Sequence, residues 1–233
     1  MQEIFDKYID NSFDSQYQAD FKFHQFELNY KKFFYKNVPL KVLDIGVGRG
    51  EMLSSMKNWG HNYHGIDISP STVEFCKKLD LSCELTDDTE LWLKKNQNQF
   101  EIITCLDVLE HIPKDLLIRF LEAIFNSLKK GGIVIFQVPN LQSPFGYLHH
   151  FNDITHINGF VEHSLNQVLL SAGFKNISCF GFEELYEKTP KVFLKKILRF
   201  IFRKIVRLLR TINANPNPDI LDPVFYALAQ REG

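Results

Sequence analysis

The stretch Val42-Leu43-Asp44-Ile45-Gly46-Val47-Gly48-Arg49-Gly50-Glu51-Met52-Leu53 decides how the rest of the chain is read. Val42, Leu43 and Ile45 make a short apolar, partly β-branched run, which suits a strand covered on both faces. Gly46, Gly48 and Gly50 follow at once. Glycine reaches positive φ without strain and has no Cβ to hold a ligand off the backbone. The chain then opens into a helix, whose first N–H groups have no partner within the helix itself. Strand, glycine turn and helix in that order form a seat for a nucleotide-like ligand. The spacing G-x-G-x-G is shorter than the dinucleotide fingerprint G-x-G-x-x-G.

Outward from this stretch, strands and helices alternate. Strands are expected over residues 41–45, 62–68, 81–85, 101–106 and 133–138, with helices over 50–59, 71–79, 90–96 and from Pro113 to about residue 129. Ser69-Pro70 is a helix start, and Lys130-Gly131-Gly132 is a helix stop. Such a repeat predicts a parallel, doubly wound sheet with ligands at the carboxyl ends of its strands. Beyond Pro139 the pattern changes to a polar and aromatic loop over 140–160, a helix over 162–172 stopped by Gly173, and strands over 175–182 and 222–230.

Two acids flank the glycine turn: Asp44 before it and Glu51 after it. Asp67 lies at the expected end of strand two, where a carboxylate can accept hydrogen bonds from both ribose hydroxyls. Carboxylates on both sides of the turn disfavour a pyrophosphate and favour a cation. S-adenosylmethionine joins a sulfonium and an ammonium to an adenosine, and so fits better than a nicotinamide dinucleotide.

Together, VLDIGVGRG, GIDISPSTVEFCK, FEIITCLDVLEHIP and LKKGGIVIFQVPN resemble the class I S-adenosylmethionine-dependent methyltransferases. The resemblance implies an α/β, Rossmann-like, doubly wound, mostly parallel seven-stranded sheet, here with an N-terminal helical extension. It also implies roles for single residues. Gly46 and Gly48 would lie along the methionine, Asp44 would bind its amino group, and Asp67, with Ile68 beside it, would take the ribose end. Asp87 or Asp88 would sit near the adenine, and Leu106 and Asp107 would border the reacting methyl.

The block Asp107-Val108-Leu109-Glu110-His111 is similar to the E-x-x-E-H block of ubiquinone-biosynthesis O-methyltransferases, where it accompanies a divalent metal. Asp107, Glu110 and His111 would be the ligands. The shorter Asp107 weakens that set, and the plainer expectation is no metal, with His111 lining the cleft. The loop Asp153-Ile154-Thr155-His156 resembles a D-x-T-H segment of methyltransferases from bacterial cell-surface polysaccharide pathways. A hydroxyl is a poor nucleophile until a base takes its proton. His156, oriented by Asp153, is the expected base, against a plainer reading in which both merely pin the loop. The expected reaction is O-methylation of a sugar hydroxyl in a glycan or lipid-linked saccharide, yielding S-adenosylhomocysteine. The alternatives are a phenol or quinone-precursor acceptor and a cofactor-binding subunit without turnover.

The remaining sequence bounds these expectations. The 27 Lys and Arg balance 28 Asp and Glu, so bulk charge gives no pull toward nucleic acid. Cys76, Cys83, Cys105 and Cys179 have no metal-finger spacing and read as free thiols of a reducing compartment. With no secretory leader read at the start, a cytoplasmic protein is expected. Residues 1–37 form an aromatic extension, with Phe23, Phe26, Tyr30, Phe33 and Phe34 at helical spacing, expected to pack on the core or else to cover the cleft. The core would span 38–187, a basic amphipathic insertion 188–215, and a final strand 216–233. Residues 188–210 carry no acid, and their bases and apolar side chains divide onto opposite helix faces. That pattern points to peripheral contact with the inner face of an anionic membrane, or else to packing on the core or on a second copy in a homodimer.

Overall fold

The structure is a computed structural model and describes residues 19–35, 37–183 and 189–233. In chain order it comprises α1 (Ala19–Asn29), β1 (Lys41–Ile45), α2 (Glu51–Asn58), β2 (Asn62–Asp67), α3 (Pro70–Lys78), β3 (Cys83–Leu85), α4 (Thr89–Lys95) and β4 (Phe100–Leu106). Then follow α5 (Lys114–Ser127), β5 (Leu128–Pro139), α6 (Gly146–Phe151), α7 (Glu162–Ser171), β6 (Lys175–Gly181), α8 (Pro190–Ile212) and β7 (Val224–Gln230). Short 3-10 turns lie at Lys31–Phe33 and Leu109–His111.

The seven strands form one sheet in the order β3-β2-β1-β4-β5-β7-β6. Strands β1 to β5 are parallel, and β7 runs antiparallel between β5 and β6. The mostly parallel, doubly wound α/β sheet expected from the alternation is therefore present. Strand order reverses between β1 and β4, so the ligand crevice opens where Ile45 and Leu106 end their strands.

Successive residues of the central strands serve opposite faces, as a two-residue period requires. Leu43, Ile103 and Phe136 pack with Leu117 and Leu121 of α5 and Leu165 of α7. Val42, Ile102 and Ile135 pack on the other side with Phe26, Leu53 and Val73. In that second layer Phe26, Tyr30 and Phe34 are buried, and the Tyr30 ring meets Tyr226 edge-on at 5.0 Å. The aromatic extension thus packs on the core as far as it is described, while Phe5, Tyr8, Phe13 and Tyr17 lie outside the described residues.

Several boundaries differ from the sequence expectation, each for a local reason. Strand β5 starts at Leu128, with Lys130-Gly131-Gly132 inside it; pairing passes from Phe100↔Leu128 to Ile102↔Ile133 through an irregularity. Gly131 takes φ 77°, and a Cβ on Gly132 would meet the carbonyl oxygens of Lys129, Glu101 and Phe100 within 3.1 Å. Strand β3 starts at Cys83 rather than residue 81, because the Leu81 N–H turns back to the Cys76 carbonyl. The expected loop over 140–160 contains α6.

Helix α8 holds the largest difference. Thr189 caps it through the Val192 N–H, and none of its 23 residues is buried. Packing on the core was one of the readings of this segment, and an amphipathic helix packed that way ordinarily turns its bases outward. Instead Arg203 bonds Asp222 at 2.5 Å, Arg207 reaches the Asp219 carbonyl at 3.4 Å and Arg210 the Pro216 carbonyl at 2.9 Å. The arginines face the body of the protein, so the apolar stripe faces out. Lys188 lies outside the described residues. Among the described residues no helix is long and apolar enough to cross a membrane.

Candidate active site

The turn after β1 takes the predicted conformation. Gly46, Gly48 and Gly50 have φ of 75°, 52° and 75°. A Cβ on Gly46 would collide with Val108, whereas one on Gly48 would meet nothing within 4 Å. Gly46 is thus needed for close packing of the turn against the segment after β4, and Gly48 leaves open space above the backbone.

Three acids border that space. Asp44 is buried, and one carboxylate oxygen accepts from the Thr104 hydroxyl at 2.5 Å. Burial raises its pKa to about 8 against the opposing Thr104 bond, and the charges of Asp67 and Glu51 add to the rise. Asp67 is also raised, to about 6, by burial, although N–H groups of Ser69, Gly48, Val47 and Ile68 favour its ionised form. Those N–H groups tie the end of β2 directly to the glycine turn. Glu51 is buried with Oε1 unbonded. Asp44 and Asp67, held partly neutral beside an open glycine turn, suit a ligand that brings positive charge and restores their ionisation. S-adenosylmethionine meets that requirement.

Around the rim, Ile68 is partly exposed next to Asp67. Asp88 is occupied as the N-cap of α4, accepting from the Leu91 N–H at 2.9 Å, and Asp87 stands exposed beside it. Leu106 is half-buried at the end of β4, and Asp107 follows at φ 55°, a strained conformation for a side-chain-bearing residue. Gln137 donates to Asp107 at 2.6 Å and accepts from the Tyr30 hydroxyl at 2.6 Å. A buried residue following α1 therefore reaches the cleft through one amide.

The third group is Glu110, His111 and His156, each offering one ligand atom within 4.8 Å of the others. Glu110 is fully buried with both oxygens unbonded, and burial, with the charges of Asp107 and Asp153, drives its pKa well above the ordinary carboxylate value. The His156 Nε2 lies 3.8 Å from Glu110 Oε1, and the two imidazole rings stand 4.6 Å apart. His156 Nδ1 lies 2.9 Å from the His150 carbonyl, which can only accept, so Nδ1 carries the proton and Nε2 the lone pair.

Two sequence expectations are corrected here. Asp153 does not orient His156: its carboxylate accepts from the Thr155 N–H at 2.8 Å and hydroxyl at 2.6 Å, and Thr155 meets His111 Nδ1 at 2.8 Å. The Asp153–Thr155 pair therefore positions His111, whose pKa falls to about 4 through burial and the neighbouring His156. Despite its own burial, Asp153 is held below the usual carboxylate range by the Thr155 bonds. The cation set suggested by the strand-four block also changes. Asp107 is engaged by Gln137, and His156 stands in its place. One carboxylate and two imidazoles, each imidazole with Nδ1 hydrogen-bonded, are donors that fit a divalent transition metal. The orphaned Glu110 oxygens are the observation that makes the fit.

Of the residues singled out in the sequence, Asp44, Gly46, Gly48, Asp67 and Ile68 gather at one turn, with Leu106 and Asp107 at the end of β4, the strand that pairs with β1 on its other side. His111, Asp153 and His156 form a second group beside them. Thr104 and Gln137 were not singled out. Tyr30 was named only as part of the aromatic face, and Thr155 only as a member of the D-x-T-H segment.

A family model described as a methyltransferase domain matches residues 17–179. The chain belongs to this family, the class I S-adenosylmethionine-dependent methyltransferases. The ubiquinone biosynthesis O-methyltransferase of Pseudomonas fluorescens SBW25 is 34% identical over 113 residues, covering 46% of this chain and 47% of that protein. The chain thus spans about half the length of the curated relatives it matches. A methyltransferase structure from Archaeoglobus fulgidus superposes with a TM-score of 0.70 at 20% identity, over 98% of both chains. The structure of Haemonchus contortus phosphoethanolamine N-methyltransferase 2 in complex with S-adenosyl-L-methionine gives 0.56 at 16% identity, over 98% of this chain and 60% of that one. Both share the fold.

Proposed function

We propose that the chain transfers a methyl group from S-adenosylmethionine to a hydroxyl oxygen of a small acceptor. The observation that carries this reading is the pair of buried acids, Asp44 and Asp67, on either side of the open glycine turn. Asp44 would hold the ammonium, Gly46 and Gly48 the methionine chain, Asp67 the ribose, and Ile68 and Asp87 the adenine side. Leu106 and Asp107 would border the reacting centre. The cofactor brings a methyl group on a sulfonium sulfur, which is its own good leaving group, so the chain's residues need chiefly to position and deprotonate.

His156 is the assigned base. Its Nε2 would take the hydroxyl proton, while the His150 carbonyl fixes the tautomer. A phenol gives up its proton far more readily than an aliphatic hydroxyl, so one hydrogen-bonded proton transfer activates it more easily. A phenol-like acceptor is therefore the leading reading, in keeping with the O-methyltransferase names of the relatives. The glycan acceptor draws no support from those relatives. It rests on the Asp153–His156 loop and is kept as a comparison arm. A divalent cation on Glu110, His111 and His156 would occupy the Nε2 lone pair, so its Lewis-acid polarisation of the hydroxyl would replace proton transfer to His156 rather than add to it. The place of work on this reading is the cytoplasm, with peripheral contact at the inner face of the membrane through residues 188–210.

Calorimetry with S-adenosylmethionine tests the cofactor. Formation of S-adenosylhomocysteine across phenols and sugars, with added divalent metal or with chelator, tests the acceptor. No heat of binding would remove the whole reading, and turnover confined to sugars would replace the phenol.

A further inference from the structure

We infer that α8 and α6 together form a docking face for an anionic bilayer and turn the mouth of the site toward the lipid. This deepens the peripheral contact proposed above by giving it a face and an orientation.

The first observation is the inversion of α8. An amphipathic helix on a protein surface ordinarily buries its apolar stripe. Here Arg203, Arg207 and Arg210 anchor the helix to Asp222 and to the carbonyls of Asp219 and Pro216. Phe193, Leu194, Ile197, Leu198, Ile201 and Ile205 are all left exposed, Phe193 at 66%. An apolar stripe along a helix of 23 residues is far more than scattered surface hydrophobics, and it requires a cover.

Charge selects the cover. The helix carries eight Lys and Arg and no acid. Lys191, Lys195 and Lys204 are exposed beside the stripe, where long stems can lie on apolar surface and lift their ammonium groups to a phosphate layer. Anionic lipid supplies both the apolar depth and the countercharge. A second copy joined through the same stripe would set lysine against lysine with no carboxylate from either helix.

Topology sets the orientation. Pro139 at the end of β5 pairs with Val224 at the start of β7, and Gly181 at the end of β6 pairs with Phe225. The segments that carry α6 and α8 therefore both leave the sheet at the crevice end. Phe145, just before α6, stacks on Phe202 of α8 with centroids 5.7 Å apart and the planes 17° apart. Past that contact, Phe151 and Ile154 are 78% and 80% exposed, on the same loop that carries His156. The apolar surface thus continues from α8 to the acceptor side of the cleft.

The test is co-sedimentation of the full chain with phosphatidylcholine vesicles, with and without phosphatidylglycerol. Binding to the anionic vesicles that weakens with added salt is expected, with little binding to phosphatidylcholine alone. An Ile201→Glu, Ile205→Glu double variant should bind at least about tenfold more weakly. Both positions are exposed, so its circular dichroism and its affinity for S-adenosylmethionine should match wild type. In a Phe151→Trp variant, emission should shift to the blue on vesicle binding and be quenched by brominated lipid. The proposal is overturned if wild type ignores anionic vesicles or the double variant binds as well. It is equally overturned if light scattering shows a wild-type dimer that the double variant converts to monomer. A Trp at position 151 unaffected by bound vesicles would overturn the orientation. Vesicle binding by a chain that fails to bind S-adenosylmethionine would overturn the cofactor reading and leave the docking face supported.

Discussion

Asp44 is the residue on which cofactor binding should turn. Its carboxyl, raised to about 8 by burial, is largely protonated in the empty site at neutral pH. A ligand ammonium pairs only with the ionised form. Affinity for S-adenosylmethionine should therefore increase as pH rises toward 8 and then level off, with proton release on binding below that pH. Calorimetry in buffers of different ionisation enthalpy measures both. Asp44→Asn keeps the shape and the Thr104 contact but cannot ionise; it should lose roughly 2–5 kcal/mol of cofactor binding and most of the pH dependence. His156→Ala should leave cofactor affinity unchanged and lower kcat by about 10²–10⁴-fold. Unchanged turnover would remove His156 as the base. The acids were legible from spacing alone, because Asp44 and Asp67 close adjacent strands at fixed distance from the glycines. Thr104 and Gln137 were not, since each sits on a neighbouring strand and its role exists only once the sheet has formed.

Among the elements, the glycine turn and the segment after β4 depend on each other. Gly46→Ala meets both a positive φ, which costs about 1–2 kcal/mol for a residue with a side chain, and a collision with Val108. Gly48→Ala meets the φ cost alone, in open space. Denaturant titration should therefore show Gly46→Ala as clearly the less stable variant, whereas Gly48→Ala should lose more in cofactor affinity than in stability. Tyr30→Phe removes the hydroxyl that holds Gln137, a loss of about 1 kcal/mol, and frees the amide that positions Asp107. The alternation of apolar strands and capped helices was readable because periodicity and Gly or Pro punctuation act locally. Helix α8 marks the limit of that method. Periodicity separates its two faces, but only Asp222 and the carbonyls of Asp219 and Pro216, brought alongside by the chain's return to β7, decide that the arginines turn inward. The pairing of Asp153 with Thr155 and His111 was hidden for the same reason, since His111 comes from the segment after β4.

For the whole molecule, the acids at the crevice make stability depend on pH in a direction opposite to the usual salt-bridged carboxylate. Asp44 and Asp67 have folded pKa values of about 8 and about 6, above the ordinary 3.8 of the unfolded chain. Across that interval the folded state holds protons that the unfolded state has released, so stability falls as pH rises. Their contribution is full below about pH 4; Asp67 loses its share by about 6 and Asp44 by about 8. The empty protein should accordingly melt several degrees lower at pH 8 than at pH 5.5, given that 1 kcal/mol moves Tm by about 2–4 °C in a chain of this size. Asp44→Asn, with no proton to lose, should flatten most of that slope and be at least as stable as wild type at pH 8. Saturating S-adenosylmethionine should raise Tm more at pH 8 than at pH 5.5, because the ligand's charge repairs the site only where Asp44 can ionise. A scanning-calorimetry series at both pH values, with and without cofactor, separates these contributions. Equal slopes in wild type and Asp44→Asn would show that the buried carboxyl at the end of β1 is not the titrating group.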